Sequence, residues 1–460
     1  MNKPANQSAR SFTTLEEDKP MYDFAAQPNS LEEFWMPFTN QRGWKKDPKM
    51  LVRAEGMYYY DQSGREIMDG AAGLWCVNAG HGVERIKEAV IEQMNTMDFA
   101  PSFRFGHPAA FRAASRVVGM MPDHISNVFF SNSGSEAVDS AFKIALAYHR
   151  ARGEGTRRLL IGRERAYHGV GFGGISVGGI PYNRAAFGQL LPNVDHMKTT
   201  YNFERDGVTK GQPEKGAEMA DELEDIIKMH DPSNVAALIV EPVACSTGVL
   251  PPPKGYLERL REITEKYGVL LIFDEVVTGF GRLGCASASE YFGIAPDMIT
   301  SAKALTNGAM PMAATFTSKK VYDGLMQGPE ETIELYHGYT YSGHPVAAAA
   351  ALATMDEYQE KKIFENARAM MPKWEEALHS LIDKPHVKDI RNFGIIGGIE
   401  LHPGKDGEDL GAKMFNDMWE EGLTMRPGAS GCVALSPPLI LNESHIDRIV
   451  DIIGNYLDRL

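Results

Sequence analysis

The chain has 460 residues, 43% hydrophobic and 23% charged, the balance of an ordinary globular protein with room for two domains and substantial cores. A formal net charge of -14 argues against nucleic acid or an anionic membrane surface as the main partner, since both attract basic patches, and favours a small molecule. The four cysteines, Cys76, Cys245, Cys285 and Cys432, include no C-x-x-C pair, so neither a disulfide framework nor a zinc site is indicated and a reducing cytoplasm is the expected setting.

Residues 1–30 lack the apolar core of a signal peptide and are expected to form a mobile arm; Lys3 and Arg10 ahead of the first acid, Glu16, match an organellar transit segment only faintly. No apolar run approaches the roughly 18 residues of a membrane span. Leu31 to Asn40, LEEFWMPFTN, gathers Phe34, Trp35 and Phe38 near a proline and reads as a helix or turn anchored by aromatics in a core. Ala54 to Asp69 alternates polar and aromatic stretches around Gln62-Ser63-Gly64, as a small antiparallel unit would. Asp69 to Gly82, DGAAGLWCVNAGHG, is too glycine-rich for a helix interior and reads as a loop presenting Trp75.

From about Ser126 strands alternate with helices, which predicts a mostly parallel sheet. Asn127 to Phe130 is a strand, and Ser131 to Glu136 turns from it into a helix running to about Arg150. Ser133 and Glu136 make an S-x-x-E capping box, Gly134 lets the backbone approach closely, and the helix N-terminus offers free amides and a favourable dipole to a phosphate. Tyr167-His168-Gly169 follows the strand Leu159 to Gly162 in a loop, where an aromatic ring can stack on a flat cofactor. The run Gly169 to Gly174 matches G-x-G-x-x-G, but it does not directly follow its strand and Pro181 stands where the required helix should continue. A dinucleotide site is therefore not predicted.

Val235 to Val240 reads as a buried strand ending in Glu241. A helix over Tyr256 to Tyr267 follows, with Leu257, Leu260, Ile263 and Tyr267 on one face and Gly268 as its stop. The apolar run Val269 to Phe273 then ends in the acidic pair Asp274-Glu275, and Asp297 to Ala302 reads as a second short strand delivering Lys303. Asp274 and Lys303 are thus presented at neighbouring strand ends, the carboxyl edge where ligands bind in open parallel sheets. An acid that holds a heterocyclic nitrogen protonated, beside a lysine able to form an imine, is what a pyridoxal phosphate enzyme needs.

His337 to Pro345 is a dense polar and aromatic loop whose histidines stand seven apart, and no H-E-x-x-H occurs, so hydroxyl donors for an anion are expected there rather than a metal. An alanine-rich helix through Ala347 to Met355, helices near Ile363 to Leu381 and His445 to Leu460, and an apolar strand over Phe393 to Leu401 predict a second, smaller α+β unit that packs with residues 31–75. Arg426, in MRPGASG, sits in a glycine-rich loop from which a guanidinium could reach a substrate carboxylate in two-point fashion.

With these residues assembled, the chain resembles the class III aminotransferases of pyridoxal phosphate fold type I, and most closely the β-alanine:pyruvate or omega-amino acid transaminases. The resemblance runs from about Leu31 to Leu460, through FWMPFTN, DGAAGLWCVNAGHG, SNSGSEAVD, EPVACSTGV, LLIFDEVVTGFGRLG, SAKALTNGAMPM, HGYTYSGHP and LSPPLI. It implies an α/β architecture, with a large domain over 76–345 that binds pyridoxal 5'-phosphate on its mostly parallel sheet and a smaller α+β domain built from 31–75 and 346–460. It implies that Lys303 is the Schiff-base lysine, Asp274 the partner of the pyridine nitrogen, and Gly134 and Ser135 the phosphate-binding turn. Tyr167 resembles the residue stacked on the ring and facing substrate, Val276 the apolar contact on the other face, and Glu241 the acid that supports the aspartate region. Thr340 resembles a threonine that reaches the phosphate of the neighbouring subunit, which implies an obligate homodimer with shared sites; pairing of dimers into tetramers stays open. Phe38, Trp75 and Arg426 align with substrate-pocket positions, the arginine as the carboxylate reader.

The activity implied is ping-pong transfer of an amino group from an omega-amino acid or amine, β-alanine foremost, to pyruvate. An aminomutase or decarboxylase of the same class, or an amine:pyruvate transaminase that does not use β-alanine physiologically, would use the same lysine and aspartate. The chain departs from the family pattern at Ala313, at Cys245, and in the PGASG loop after Arg426.

Overall fold

The computed structural model describes residues 28, 30–428 and 431–460. The arm expected over 1–30 therefore lies, but for residues 28 and 30, outside the described residues. Strands β1 (Leu51–Glu55), β2 (Tyr58–Asp61) and β3 (Glu66–Asp69) form the expected antiparallel unit. A seven-stranded sheet follows, made of β4 (Ile125–Ser131), β5 (Leu159–Arg163), β6 (Val194–Met197), β7 (Val235–Val240), β8 (Leu270–Asp274), β9 (Met298–Ser301) and β10 (Ala313–Ser318) in the order β4-β10-β9-β8-β7-β5-β6. The run from β9 to β6 is parallel, and only β10 is antiparallel to its neighbours β4 and β9.

Every residue of β7 and β8 is buried, because successive side chains point to opposite faces and helices cover both. Leu238, Val240, Leu271 and Phe273 join one core cluster with Leu257, Leu260 and Ile263 of the helix Tyr256–Tyr267. Ala237, Ile239, Leu270 and Ile272 join another with Ala141, Phe142 and Ala145 of the helix Gly134–Ala151. The crossover helix ends as its sequence predicts: Gly268 adopts φ 66° and its N–H donates to Glu265 O and Thr264 O, closing the last turn.

The remaining strands are β11 (Val387–Asn392), β12 (Gly397–Leu401), β13 (Leu423–Thr424), β14 (Arg426–Pro427) and β15 (Cys432–Leu435). Four of them make an antiparallel sheet in the order β11-β12-β15-β14, while β13 adds to the first sheet, parallel to β3. The late part of the chain is thereby hydrogen-bonded to its beginning. Among the described residues no helix is long and apolar enough to cross a membrane.

Two local expectations are corrected. The apolar stretch Phe393 to Leu401 is not one strand: β11 and β12 form a hairpin that turns over residues 393–396, with Gly394 at φ 57° and so close to Arg282 that a Cβ there would lie 2.2 Å from its carbonyl oxygen. The aromatics of Leu31 to Asn40 do not anchor a core either, since Phe34, Trp35 and Phe38 are 68%, 85% and 76% exposed.

At the opposite end of the sheet from the site, Asp297 ties three elements together. Its carboxylate accepts from Leu271 N–H at 2.9 Å and pairs with Arg261 and Lys320, both at 2.9 Å. Against the opposing effect of burial, the two cations hold this carboxyl below the usual aspartate range. Folded-state stabilisation is thus present above the ordinary aspartate pKa and lost as pH falls through the depressed one. Asp297→Asn is expected to cost about 2 kcal/mol near neutrality, with the gap to wild type closing in acid, as read from denaturation midpoints across pH.

Candidate active site

The carboxyl edge of β7, β8 and β9 opens into a cavity of about 330 Å³, lined among others by Gly134, Ser135, Tyr167, Glu241, Asp274, Val276 and Lys303. Seven of the eleven residues singled out from sequence are brought together here. Asp274 ends β8 and is 6% exposed. A charge so placed is costly unless hydrogen-bonded, and Asp274 has three partners. His168 Nδ1 lies 2.8 Å from Oδ2, while Thr300 Oγ1 at 3.1 Å and Val276 N–H at 3.2 Å donate to Oδ1. The neighbouring Glu275 does not share the cavity. It turns away to accept from Ser287 Oγ, Ala288 N–H and Ser289 N–H at 2.6 to 2.9 Å, and burial pushes its carboxyl up to about 7.

Lys303 follows β9 and starts a single 3-10 turn over Lys303–Thr306 with φ 47°. Burial lowers its pKa, which enlarges the neutral, nucleophilic fraction of the amine. Its Nζ stands 5.9 Å from the centre of the Trp75 ring. Across the cavity, the helix Gly134–Ala151 begins with Ser133 as N-cap, whose Oγ accepts from Glu136 N–H at 3.3 Å. The return bond of the expected box is shifted by one residue, as Glu136 Oε2 accepts from Asn132 N–H at 2.7 Å rather than from Ser133.

Glycine at 134 matters because a Cβ there would come within 3.1 Å of Val276 Cγ1 and fill the space between helix and strand. Ser135 Oγ accepts from Val170 N–H at 2.9 Å, which fixes the loop after Tyr167. Glu241 Oε1 accepts from Tyr167 N–H at 2.9 Å, and Oε2 from Cys245 N–H at 3.3 Å. A phosphorylated pyridine fits these residues. The helix N-terminus suits a phosphate, Asp274 suits a protonated ring nitrogen, Lys303 suits an aldehyde, and Tyr167 and Val276 offer a ring and an apolar side chain.

The other four residues lie apart from this lining. Trp75, 6% exposed, has Lys303 Nζ 5.9 Å and Arg426 Cζ 5.6 Å from its ring centre. Neither Trp75 Nε1 nor Arg426 Nε, both buried, has a hydrogen-bond partner among the described residues, and burial lowers the arginine's pKa. Phe38 and Thr340 are exposed and line no part of the cavity. Ala429 and Ser430, within the PGASG loop, lie outside the described residues. Sequence reasoning passed over Thr300 and gave His168 no role. Their only sequence signals are a place in the strand beside β8 and adjacency to Tyr167.

These features define a fold type I pyridoxal phosphate enzyme. The family model Aminotransferase class-III matches residues 41–457. An omega-aminotransferase of Caulobacter vibrioides is 54% identical over 96% of this chain and 100% of its own length. A beta-alanine–pyruvate aminotransferase of Pseudomonas aeruginosa is 43% identical over 93% of this chain and 96% of its own. Among solved structures, the omega transaminase from Pseudomonas jessenii in complex with PMP superposes with a TM-score of 0.87 at 33% identity, covering 93% of this chain and 96% of that one. The chain belongs to the class III aminotransferases, enzymes that depend on pyridoxal 5'-phosphate.

His168→Leu removes the Asp274 partner without adding bulk. It is expected to cost about 2 kcal/mol of cofactor binding, roughly a thirtyfold loss of affinity for pyridoxal 5'-phosphate by equilibrium dialysis. Unchanged retention would show that the histidine does not hold the aspartate for the cofactor.

Proposed function

We propose that this aminotransferase moves an amino group from an omega-amino acid or amine, β-alanine foremost, to pyruvate. The observation that carries the reading is Arg426: a largely buried guanidinium whose Cζ lies 5.6 Å from the centre of the Trp75 ring, with an Nε–H that finds no partner among the described residues. A buried cation of this kind suits a substrate carboxylate, and the indole beside it suits an apolar chain. Relatives named for β-alanine or an omega-amino acid and pyruvate point the same way.

When bound, pyridoxal 5'-phosphate supplies an electrophilic carbonyl and an electron sink. Lys303 Nζ would hold its aldehyde and would move the proton at the amine-bearing carbon of the donor and, in the second half-reaction, at the oxo acid's carbon. Asp274 keeps the pyridine nitrogen protonated, and His168 and Thr300 keep Asp274 oriented. Gly134 and Ser135 would hold the phosphate at the helix N-terminus, and Tyr167 and Val276 would flank the ring. Glu241 holds Tyr167 through its backbone N–H.

Thr340 and Phe38 serve the site of a second copy in this reading. Both are exposed and lie off the cavity, and Phe34, Trp35, Phe103, Phe105, Tyr336 and Tyr341 are exposed as well, which suits a homodimer with shared sites. A cytoplasmic setting suits the four cysteines, all free.

Lys303→Ala is expected to abolish turnover, and Arg426→Ala to raise KM for pyruvate at least tenfold while changing KM for a carboxylate-free amine little. The overall test is spectroscopic. The cofactor's visible band is expected to disappear with β-alanine under anaerobic conditions and return with pyruvate. Carbon dioxide release, or product formation without an oxo acid, would overturn the reading.

A further inference from the structure

The loop that carries Trp75 has an unusual backbone. Ala72, Gly73 and Trp75 all have positive φ, at 45°, 64° and 61°, a region that residues with side chains enter only when their surroundings hold them there. What holds them is Asp69, the last residue of β3 and wholly buried. Its Oδ1 accepts from Ala71 N–H at 3.0 Å, and its Oδ2 accepts from Gly73 N–H and meets His81 Nε2, both at 2.7 Å. The Tyr59 ring, 4.3 Å from that of His81, closes the cluster on one side.

The same carboxylate reaches in a second direction. Thr424 Oγ1 donates to Asp69 Oδ1 at 3.1 Å, and the two residues are paired in register across β3 and β13. Gly70 permits the approach, since a Cβ there would lie 2.5 Å from Thr424 O. Thr424 stands two residues before Arg426, so one buried acid grips both the loop that presents the indole and the strand that leads to the guanidinium.

We propose that Asp69 is a positioning residue for substrate recognition: through the Ala71 and Gly73 amides and the Thr424 hydroxyl it fixes the backbone from which Trp75 and Arg426 project, and so sets the affinity for carboxylate-bearing substrates. The proposal deepens the reading of Arg426 as carboxylate reader and rests on it. A loosened Arg426 weakens binding of a carboxylate but has no purchase on an amine that lacks one.

Thr424→Val, which removes a single hydroxyl donor to a charged acceptor, isolates the link to Arg426. Its KM for pyruvate and its Kd for propionate, measured calorimetrically on the holoenzyme, are expected to rise about tenfold. kcat at saturation and KM for 1-butylamine are expected to stay within about twofold, and Thr424→Ser is expected to restore both carboxylate constants. Asp69→Asn, which also frees the Trp75 loop, is expected to weaken propionate further. Equal losses for pyruvate and 1-butylamine in Thr424→Val would mark a general loosening and overturn the proposal. Wild-type constants in Thr424→Val beside weakened carboxylate binding in Arg426→Ala would overturn the positioning role and leave the arginine reading standing. Unaltered carboxylate binding in Arg426→Ala would remove both.

Discussion

A carboxylate delivered to the end of a strand buried on both faces has to be partnered, and most of the site follows from how Asp274 meets that need. Leaving such a group ionised without hydrogen bonds costs several kcal/mol, on the order of a large part of a domain's net stability. The partners it finds come from different elements: His168 from the loop after β5, Thr300 from β9, Val276 from its own turn. Each carries a neighbour with it. His168 sets the place of Tyr167, Val276 faces the bare backbone of Gly134, and Thr300 lies three residues before Lys303. Satisfying one charge therefore assembles much of the cavity wall.

The first sheet repeats the device. Asp69 ends β3 as Asp274 ends β8, and both are buried acids whose oxygens are filled by loop amides and side chains from distant segments. Asp274 lines the cavity, while Asp69 holds the neighbouring segments that carry Trp75 and Arg426. Trp75 lies within 6 Å of both Lys303 Nζ and Arg426 Cζ by ring centre. Backbone strain at 72–75 persists because Asp69's hydrogen bonds over-determine the loop.

Adjacent acids with different fates illustrate what period-two geometry does. Asp274 and Glu275 follow one another at the strand end, yet one lines the cavity and the other caps the short helix Ala288–Phe292. Glu275, filled by three donors and still pushed up to about 7 by burial, is a structural group at the margin of ionisation. Asp274 is held by a histidine and a hydroxyl that leave it open to the cavity.

The sequence by itself determined five of the seven strands of the large sheet, all but β6 and β10, because continuous apolar runs bounded by Glu241, Asp274 and Lys303 and a capped 3.6-residue period are local signals. The helix Tyr256–Tyr267 runs as expected, and seven of the eleven singled-out residues line one cavity. The motifs also carried the family. Only the tertiary structure decided which partners fill Asp274 and Asp69, for a hydrogen bond between residues 106 apart, such as His168 to Asp274, or 355 apart, such as Thr424 to Asp69, leaves no periodicity to read. It also decided that Phe393 to Leu401 bends into a hairpin, where Arg282 crowds Gly394, and that Phe34, Trp35 and Phe38 face outward. Apolar character states that a side chain is better covered than wet; which surface covers it is settled by packing at long range.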